Sequence, residues 1–515
     1  MPLNDGIPFA ELDHFTLDRA AIRRLRRRFC EQWRVVVLGH VTEDSRERVV
    51  VGMPDPRDDR LISMLEQVLA HPVEAVRLNT YEINKALDFG FERRAADDHP
   101  DGIPVPMRAA EPGHNASSTA LLDHIIRTAV RFDASDIHIE QYLDDVDIRL
   151  RVDGVLRQLF THVTPANVNA VVGRVKVLAR LDITERRLPQ DGRIRIILVD
   201  GPHHRPVDLR VSVVPGPTGE DVVMRLIGQS AGVMPLSGLG MPADMLSEVE
   251  ALLANPEGMV VVTGPTGSGK TSTLYAGLDV IRGDHRKIVT AEDPVERFLP
   301  KVNQKQVGPG VDMALLARAF LRQDPDVMLI GEVRDEATAQ VANRAAVTGH
   351  LVLSTLHTSD AVGAVPRLMG LGLSASDVAD TLLGIIAQRL VRRLCTQCRV
   401  PGADDDPNVV RLRPLLGDIQ TMVATGCPRC GHTGYAGRVG IFELVVMDEN
   451  LAAAIAGGTP TGQLRESLRL RGHRGLVDAA KERIVDGTTS AEEVLRVLPL
   501  RSLANLLGTY EHPAH

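Results

Sequence analysis

The sequence predicts a multidomain α/β protein whose largest domain is a P-loop nucleotide-binding core. Three observations carry this expectation. A short β-branched run, Met259 to Thr263, leads into Gly264-Pro265-Thr266-Gly267-Ser268-Gly269-Lys270-Thr271 and then into a helical stretch, the strand and helix context that a phosphate-binding loop needs. Two earlier stretches combine apolar alternation with helical apolar stripes, as small α/β domains do. Two segments rich in proline and glycine divide these stretches from each other and from the core.

Residues 34–52 read as two strands around a polar turn, followed by apolar residues at helical spacing in Leu61 to Leu69, giving an N-terminal α/β domain over residues 1–95. Residues 96–117 lack periodicity and read as a linker. The second α/β domain, residues 118–228, opens with a helix marked by Leu121, Leu122, Ile125, Ile126 and Val130, with Ser118 or Thr119 available as its cap. Val146 to Val152 then alternates apolar residues with Asp147, Arg149 and Arg151, so one strand face is buried and the other lines up charge, mostly basic. A helical stripe from Val168 to Leu178 and strands around 193–199 and 207–213 complete this domain. A hinge at 229–242 leads into the core, residues 243–515, with an insert at 393–432 and C-terminal helices. Thr489 or Ser490 is placed to cap the last helix in a capping-box pattern with Glu492 or Glu493, and the C-terminal helices are expected to pack between subunits.

The chain has 515 residues, room for about three domains, and 44% of them are hydrophobic, enough for more than one core. Its net charge of -8 and pI near 6.1 offer no overall attraction to nucleic acid or acidic lipid. Met1 to Phe15 has no apolar core of signal-peptide length and no apolar run approaches a membrane span, so a cytosolic protein is expected. Arg23, Arg24, Arg26, Arg27 and Arg28 form a local basic cluster, read as a solvated helix face or as a contact for anionic lipid or an acidic partner domain.

The phosphate site is read from the loop outward. Its glycines turn backbone N–H groups toward phosphate oxygens, Lys270 neutralises the outer phosphates, and Thr271 offers a hydroxyl to magnesium. Two strand-like runs supply carboxylates opposite: Lys287 to Glu292, continuing as Asp293-Pro294, and Val327 to Ile330, continuing as Gly331-Glu332. Gly331 stands where an aspartate usually holds magnesium through water. The reading is that Glu332 helps hold magnesium while Glu292 orients and deprotonates the attacking water, with the reverse assignment open. His350 and His357 bracket a further strand, Leu351 to Leu356, and either bridge the phosphate end to a neighbouring element or serve a structural hydrogen bond. Four of the five cysteines, Cys395, Cys398, Cys427 and Cys430, form two C-x-x-C pairs separated by 28 residues, a spacing that brings four thiolates to one tetrahedral zinc. With no open position such a zinc would be structural, and Cys30 is left as a small buried apolar residue.

Further motifs occur in a specific order: Ala134-Ser135-Asp136-Ile137-His138-Ile139-Glu140, Arg151-Val152-Asp153-Gly154, Leu188-Pro189-Gln190-Asp191-Gly192-Arg193, Glu292-Asp293-Pro294-Val295-Glu296, Arg322-Gln323-Asp324-Pro325-Asp326 through Gly331-Glu332-Val333-Arg334-Asp335, and Thr348-Gly349-His350 through His357-Thr358. Together with the P-loop they resemble the secretion ATPases of type II secretion and type IV pilus assembly, over about residues 35 to 500. Cys427-Pro428-Arg429-Cys430 and Thr433-Gly434-Tyr435-Ala436-Gly437-Arg438 resemble the assembly-type members. The resemblance implies a RecA-like P-loop core, a PAS-like second domain, a further small N-terminal domain that binds a partner, and a zinc insert. It implies a homohexamer that binds ATP and Mg2+ at 264–272, including Ser272, between domains. Arg210, Arg225, Arg318 and Arg322 look like the arginines that reach the phosphates, and His350 and His357 belong to the histidine box. The implied partners are an inner-membrane platform protein and a cytoplasmic domain of a membrane-anchored secretion or pilus protein, with the motor peripheral at the inner face of that membrane. The leucine- and glycine-patterned segment that binds a cyclic dinucleotide in some longer members is not found in the first 33 residues. Alternatives are a pilus-retraction motor, which lacks the extended N-terminal domain and the four-cysteine insert, and a DNA-uptake motor, against which the balanced charge of the insert and its lack of aromatic residues argue. A small-molecule kinase leaves the arginines and cysteines unexplained.

Overall fold

A computed structural model describes residues 15–498, apart from 16, 18, 23, 26, 44–45, 80–81, 84–85, 88–101, 114, 201–202, 228–232, 309 and 418. The chain divides into two compact units, residues 1–110 with 194–207, and 111–193 with 208–515.

In the first unit Val36–Glu43 pairs antiparallel with Arg46–Met53, which pairs parallel with Val73–Arg77. Asp58 caps the helix Asp59–Leu69 by accepting the N–H of Leu61, and the helix buries Leu61, Leu65 and Leu69, spaced four apart along one face. Cys30 lies in this core, as a small apolar side chain should. Arg24 donates to the carbonyl of Leu69 at 2.9 Å, so it closes the end of that helix. The side chains of Arg23, Arg26, Arg27 and Arg28 lie outside the described residues. Much of the linker does too, but Ile103–Pro106 within it forms a short strand, parallel to Ile196–Val199.

The second unit holds two sheets. In the first, Gly219–Ile227 pairs antiparallel with the 208–216 part of His203–Gly216 on one side and with Asp136–Gln141 on the other. Val146–Val152 and Val155–Gln158 extend the sheet, and helices Ser118–Arg131 and Val168–Leu178 pack on it and on each other. Ser117, one residue before the expected caps, is the residue that accepts an N–H at the helix start. Register places Arg210, Arg225, Asp136 and Arg151 in one cross-strand row. The basic alternation of Val146 to Val152 thus joins a larger ladder of charge.

The second sheet runs in the order Val302–Gln306, Ile288–Glu292, Val327–Ile330, Leu351–Leu356, Gly258–Thr263, Leu382–Leu394 and Tyr435–Val446, parallel except for the last pair. The interior strand Gly258–Thr263 is buried on both faces, Met259 and Val261 in one apolar core and Val260 and Val262 in the other, which is why it reads as an unbroken apolar run. The helix Lys270–Ile281 covers one face. The C-terminal helices add Leu451, Leu464, Leu476, Ile484 and Val494 to the core on the other face, so their apolar stripes are satisfied within this chain. Ser490 caps the last helix, but Glu493 does not reach back to complete a capping box: its fully buried carboxylate pairs with Arg392 and Arg496.

Candidate nucleotide-binding site

The P-loop strand ends at a cleft of about 940 Å³, lined by loop residues Pro265 to Ser272, by strand-end residues Glu292, Gly331, Glu332 and His357, and by Asp136, Arg151, Asp153 and Arg225 of the antiparallel sheet. Gly267 and Gly269 sit at φ of 78° and 89°, a left-handed region that side chains rarely adopt. At Gly264 a Cβ would stand 2.5 Å from the carbonyl oxygen of Gln388, so the loop can pass only without a side chain there. The helix beginning at Lys270 has no side-chain cap, which leaves its first N–H groups for an anion. Lys270 Nζ donates to the carbonyls of Gly264 and Pro265 at 2.9 and 3.1 Å. Burial lowers its pKa to about 8, against the opposing pull of Glu332 and with the help of Arg389.

The acids divide by environment. Glu332 borders the cleft, with Arg334 Nε 2.7 Å from Oε1 and His357 Nε2 3.6 Å from Oε2. Burial, and then Lys270, holds the His357 pKa below the usual imidazole value. Gly331 donates to Ala291 O at 2.8 Å, and a Cβ at Gly331 would approach that same oxygen to 3.1 Å, so the position where an aspartate is usual is packed against the neighbouring strand. Glu292 is buried and held by Tyr275 Oη, Thr290 Oγ1 and, at 3.0 Å, Gln304 Nε2. Four residues on, Glu296 also lines the cleft, together with Thr271. Burial and the Glu292 charge raise the Glu296 pKa, against Arg225 and Arg297. Sequence reasoning quoted Glu296 within a motif and gave it no role. Its i+4 spacing from Glu292 was visible, whereas the sealing of Glu292 was not.

Of the four arginines singled out, Arg225 lines the cleft and donates through Nε to Asp136 at 2.9 Å. Arg210, its cross-strand neighbour, is exposed and outside the cleft, as are Arg318 and Arg322. His350 and His357 lie at opposite ends of their strand. His350 Nδ1 is 2.9 Å from Ala345 O and 3.2 Å from Thr348 Oγ1, a turn contact away from the cleft. The cleft also collects Arg438, the last residue of the Thr433 to Arg438 motif, and Arg389 and Arg496, which lie in no quoted motif. Arg438 pairs with Asp153 at 3.2 Å, and Arg389 donates to the carbonyls of Gln388 and Ser359.

The four cysteine sulfurs of the insert lie within 4.8 Å of one another, with contacts of 3.9, 3.8 and 3.8 Å. A tetrahedral site with Zn–S bonds of about 2.3 Å has S···S edges of about 3.8 Å, so the donor set fits zinc. Burial pushes the Cys430 thiol up, but N–H groups of Cys427 and Gly434 aimed at its sulfur bring it down to about 6, toward the thiolate that a metal needs.

The family model described as "Type II/IV secretion system protein" matches residues 112–496, three quarters of the chain, and the MshEN domain model matches residues 6–89. The chain belongs to the type II/IV secretion system protein family. With that membership the chain is an ATPase. Type II secretion system protein HxcR of Pseudomonas aeruginosa is 41% identical over 89% of this chain and 92% of its own length. Type II secretion system ATPase E of Vibrio cholerae is 38% identical over 93% and 97%. The type IV pilus assembly ATPase PilB of Thermus thermophilus is 36% identical over 95% of this chain and 56% of its own. The crystal structure of the Legionella pneumophila ATPase DotB superposes with a TM-score of 0.55 over 75% of this chain and 97% of that one, at 21% identity, which speaks for the fold alone. No described helix is long and apolar enough to cross a membrane.

Proposed function

We propose that this family member is a homohexameric motor working at the cytoplasmic face of the inner membrane, where ATP hydrolysis drives assembly of a type II secretion pseudopilus. The observation that carries the reading is one cleft uniting the P-loop lysine, two carboxylates and arginines from a preceding sheet. The type II secretion relatives are 41% and 38% identical to this chain against 36% for the Thermus pilus ATPase, which favours the secretion system over the pilus.

In this reading Lys270 neutralises the outer phosphates, while the Thr271 hydroxyl and Glu332 would hold magnesium, which would supply charge neutralisation at the phosphate oxygens. Glu296 takes the proton of the attacking water. Glu292 is unsuited to that task because three donors already occupy its carboxylate, whereas Glu296 borders the cleft with no such set of donors and a pKa raised above the ordinary carboxylate value. Arg225 meets the phosphates from the preceding sheet of the same chain. Arg210, Arg318 and Arg322 are exposed and free of that cleft, as a contribution to a neighbouring subunit's nucleotide requires. The four thiolates hold a structural zinc, closed to chemistry. The membrane connection runs through a platform protein and the cytoplasmic domain of a membrane-anchored component, the latter bound by the N-terminal domain.

The test is ATPase rate against subunit concentration. Specific activity should rise as subunits assemble, and Lys270→Ala should lower it by about 100-fold or more. A concentration-independent rate, or an active Lys270→Ala protein, overturns the reading.

A further inference from the structure

We propose that Gln304 and Gln306 position Glu296 by pinning the chain on both sides of it, with the buried Glu292 carboxylate as their anchor. The inference rests on Glu296 being the base, as proposed above.

The strand Val302–Gln306 lies beside Ile288–Glu292 in parallel register, with Gln304 opposite Thr290 and Gln306 opposite Glu292. Residues 293–299, which follow Glu292 and include Glu296, belong to no helix or strand, so their backbone must be fixed by side chains. The two glutamines provide this. Gln306 Oε1 accepts the N–H of Val295 at 3.2 Å, immediately before Glu296. Gln304 Nε2 donates to the carbonyl of Arg297 at 2.9 Å, immediately after it, and Gln304 Oε1 accepts the N–H of Leu299 at 2.6 Å.

Gln304 is itself held, because Nε2 also donates to Glu292 Oε1. The other Glu292 oxygen accepts from Tyr275 Oη, and Tyr275 lies five residues after Lys270 on the helix that begins at the P-loop. The acidic segment is therefore tied to the element that carries Lys270 and Thr271. A reacting carboxylate shifted by about 1 Å can lose 10²-fold in rate, while groups that only bind nucleotide lose little. Gln304 and Gln306 are positioning residues in this account, and Glu292 serves as a structural acid.

The experiment compares steady-state ATPase kinetics of the full-length assembled protein with its Gln306→Met and Gln304→Met variants. Methionine keeps the side-chain length and removes the hydrogen bonds, and Gln306 is exposed, so that variant should fold even where Gln304→Met does not. The expected result is a kcat lower by about 10-fold or more with KM for ATP and ADP affinity within about twofold. Thr381→Val serves as the control for stability alone, since its hydroxyl bonds Asn343 and the Asp377 carbonyl and it does not line the cleft. It should lower the melting temperature and keep kcat. In a Glu296→Gln background, Gln306→Met should cause no further loss, since both changes then act on one missing function. Wild-type kcat in both glutamine variants beside an inactive Glu296→Gln overturns this inference alone. A kcat loss in Thr381→Val equal to theirs also overturns it. Wild-type kcat in Glu296→Gln overturns the proposed base and this inference with it.

Discussion

The nucleotide cleft and the cysteine cluster both gather residues far apart in sequence, yet they treat charge in opposite ways. At the cluster every donor points inward: four sulfurs face one another, and backbone N–H groups from Cys427 and Gly434 are aimed at Cys430 Sγ. At the cleft the charges are only partly matched. Lys270 is half-buried with its pKa lowered, Glu296 borders the cleft with its pKa raised, and Arg225 keeps an exposed guanidinium beside Asp136. A saturated donor set gives stability and nothing to react with. An unmatched one costs stability and leaves groups able to bind phosphate and move a proton.

The sharpest way to break this comparison is to empty the cluster. Chelation, or Cys427→Ser with Cys430→Ser, should lower the melting temperature by more than about 5 °C, since each kcal/mol is worth roughly 2–4 °C in domains of this size. Isolated subunits should still bind ADP, because the thiolates belong to the insert and do not line the cleft. Elemental analysis alongside thermal unfolding checks this, and a metal-free chain of unchanged stability would count against the closed-site reading.

A smaller effect should appear in the pH dependence of nucleotide binding. Below pH 8 the Lys270 ammonium is charged and attracts phosphate; above it the free protein loses that proton. ATP affinity should therefore fall on the order of tenfold between pH 8 and 9. Any step from His357 is expected on the acid side of the usual imidazole value, because burial and Lys270 lower its pKa. Calorimetric titration across pH 6–9.5 gives both results, and a flat profile above pH 8 would show that Lys270 is less desolvated than its burial indicates.

What the sequence made legible was whatever depends on local spacing. The P-loop strand, loop and helix, the core strands and the paired C-x-x-C knuckles follow from periodicity and from backbone needs within a few residues. The roles of single acids and arginines did not follow, because they depend on partners across strands. Glu292 and Glu296 share one motif, and only the donors Tyr275, Thr290 and Gln304 reveal which is sealed. Arg210 and Arg225 are cross-strand neighbours, and only the second reaches the cleft. The two histidines are a different case. Both were read as candidates for the phosphate end, yet the six-residue strand between them holds them about 23 Å apart at roughly 3.3 Å per residue, so only one can reach the phosphates.

The division of labour between Glu292 and Glu296 is tested most directly by single-turnover hydrolysis in the Glu296→Gln protein, with ATP affinity measured in parallel. The account predicts affinity within about twofold of the unaltered protein and hydrolysis slower by about 100-fold or more, the scale of a lost general base. Hydrolysis at the unaltered rate, with nucleotide bound normally, would contradict it.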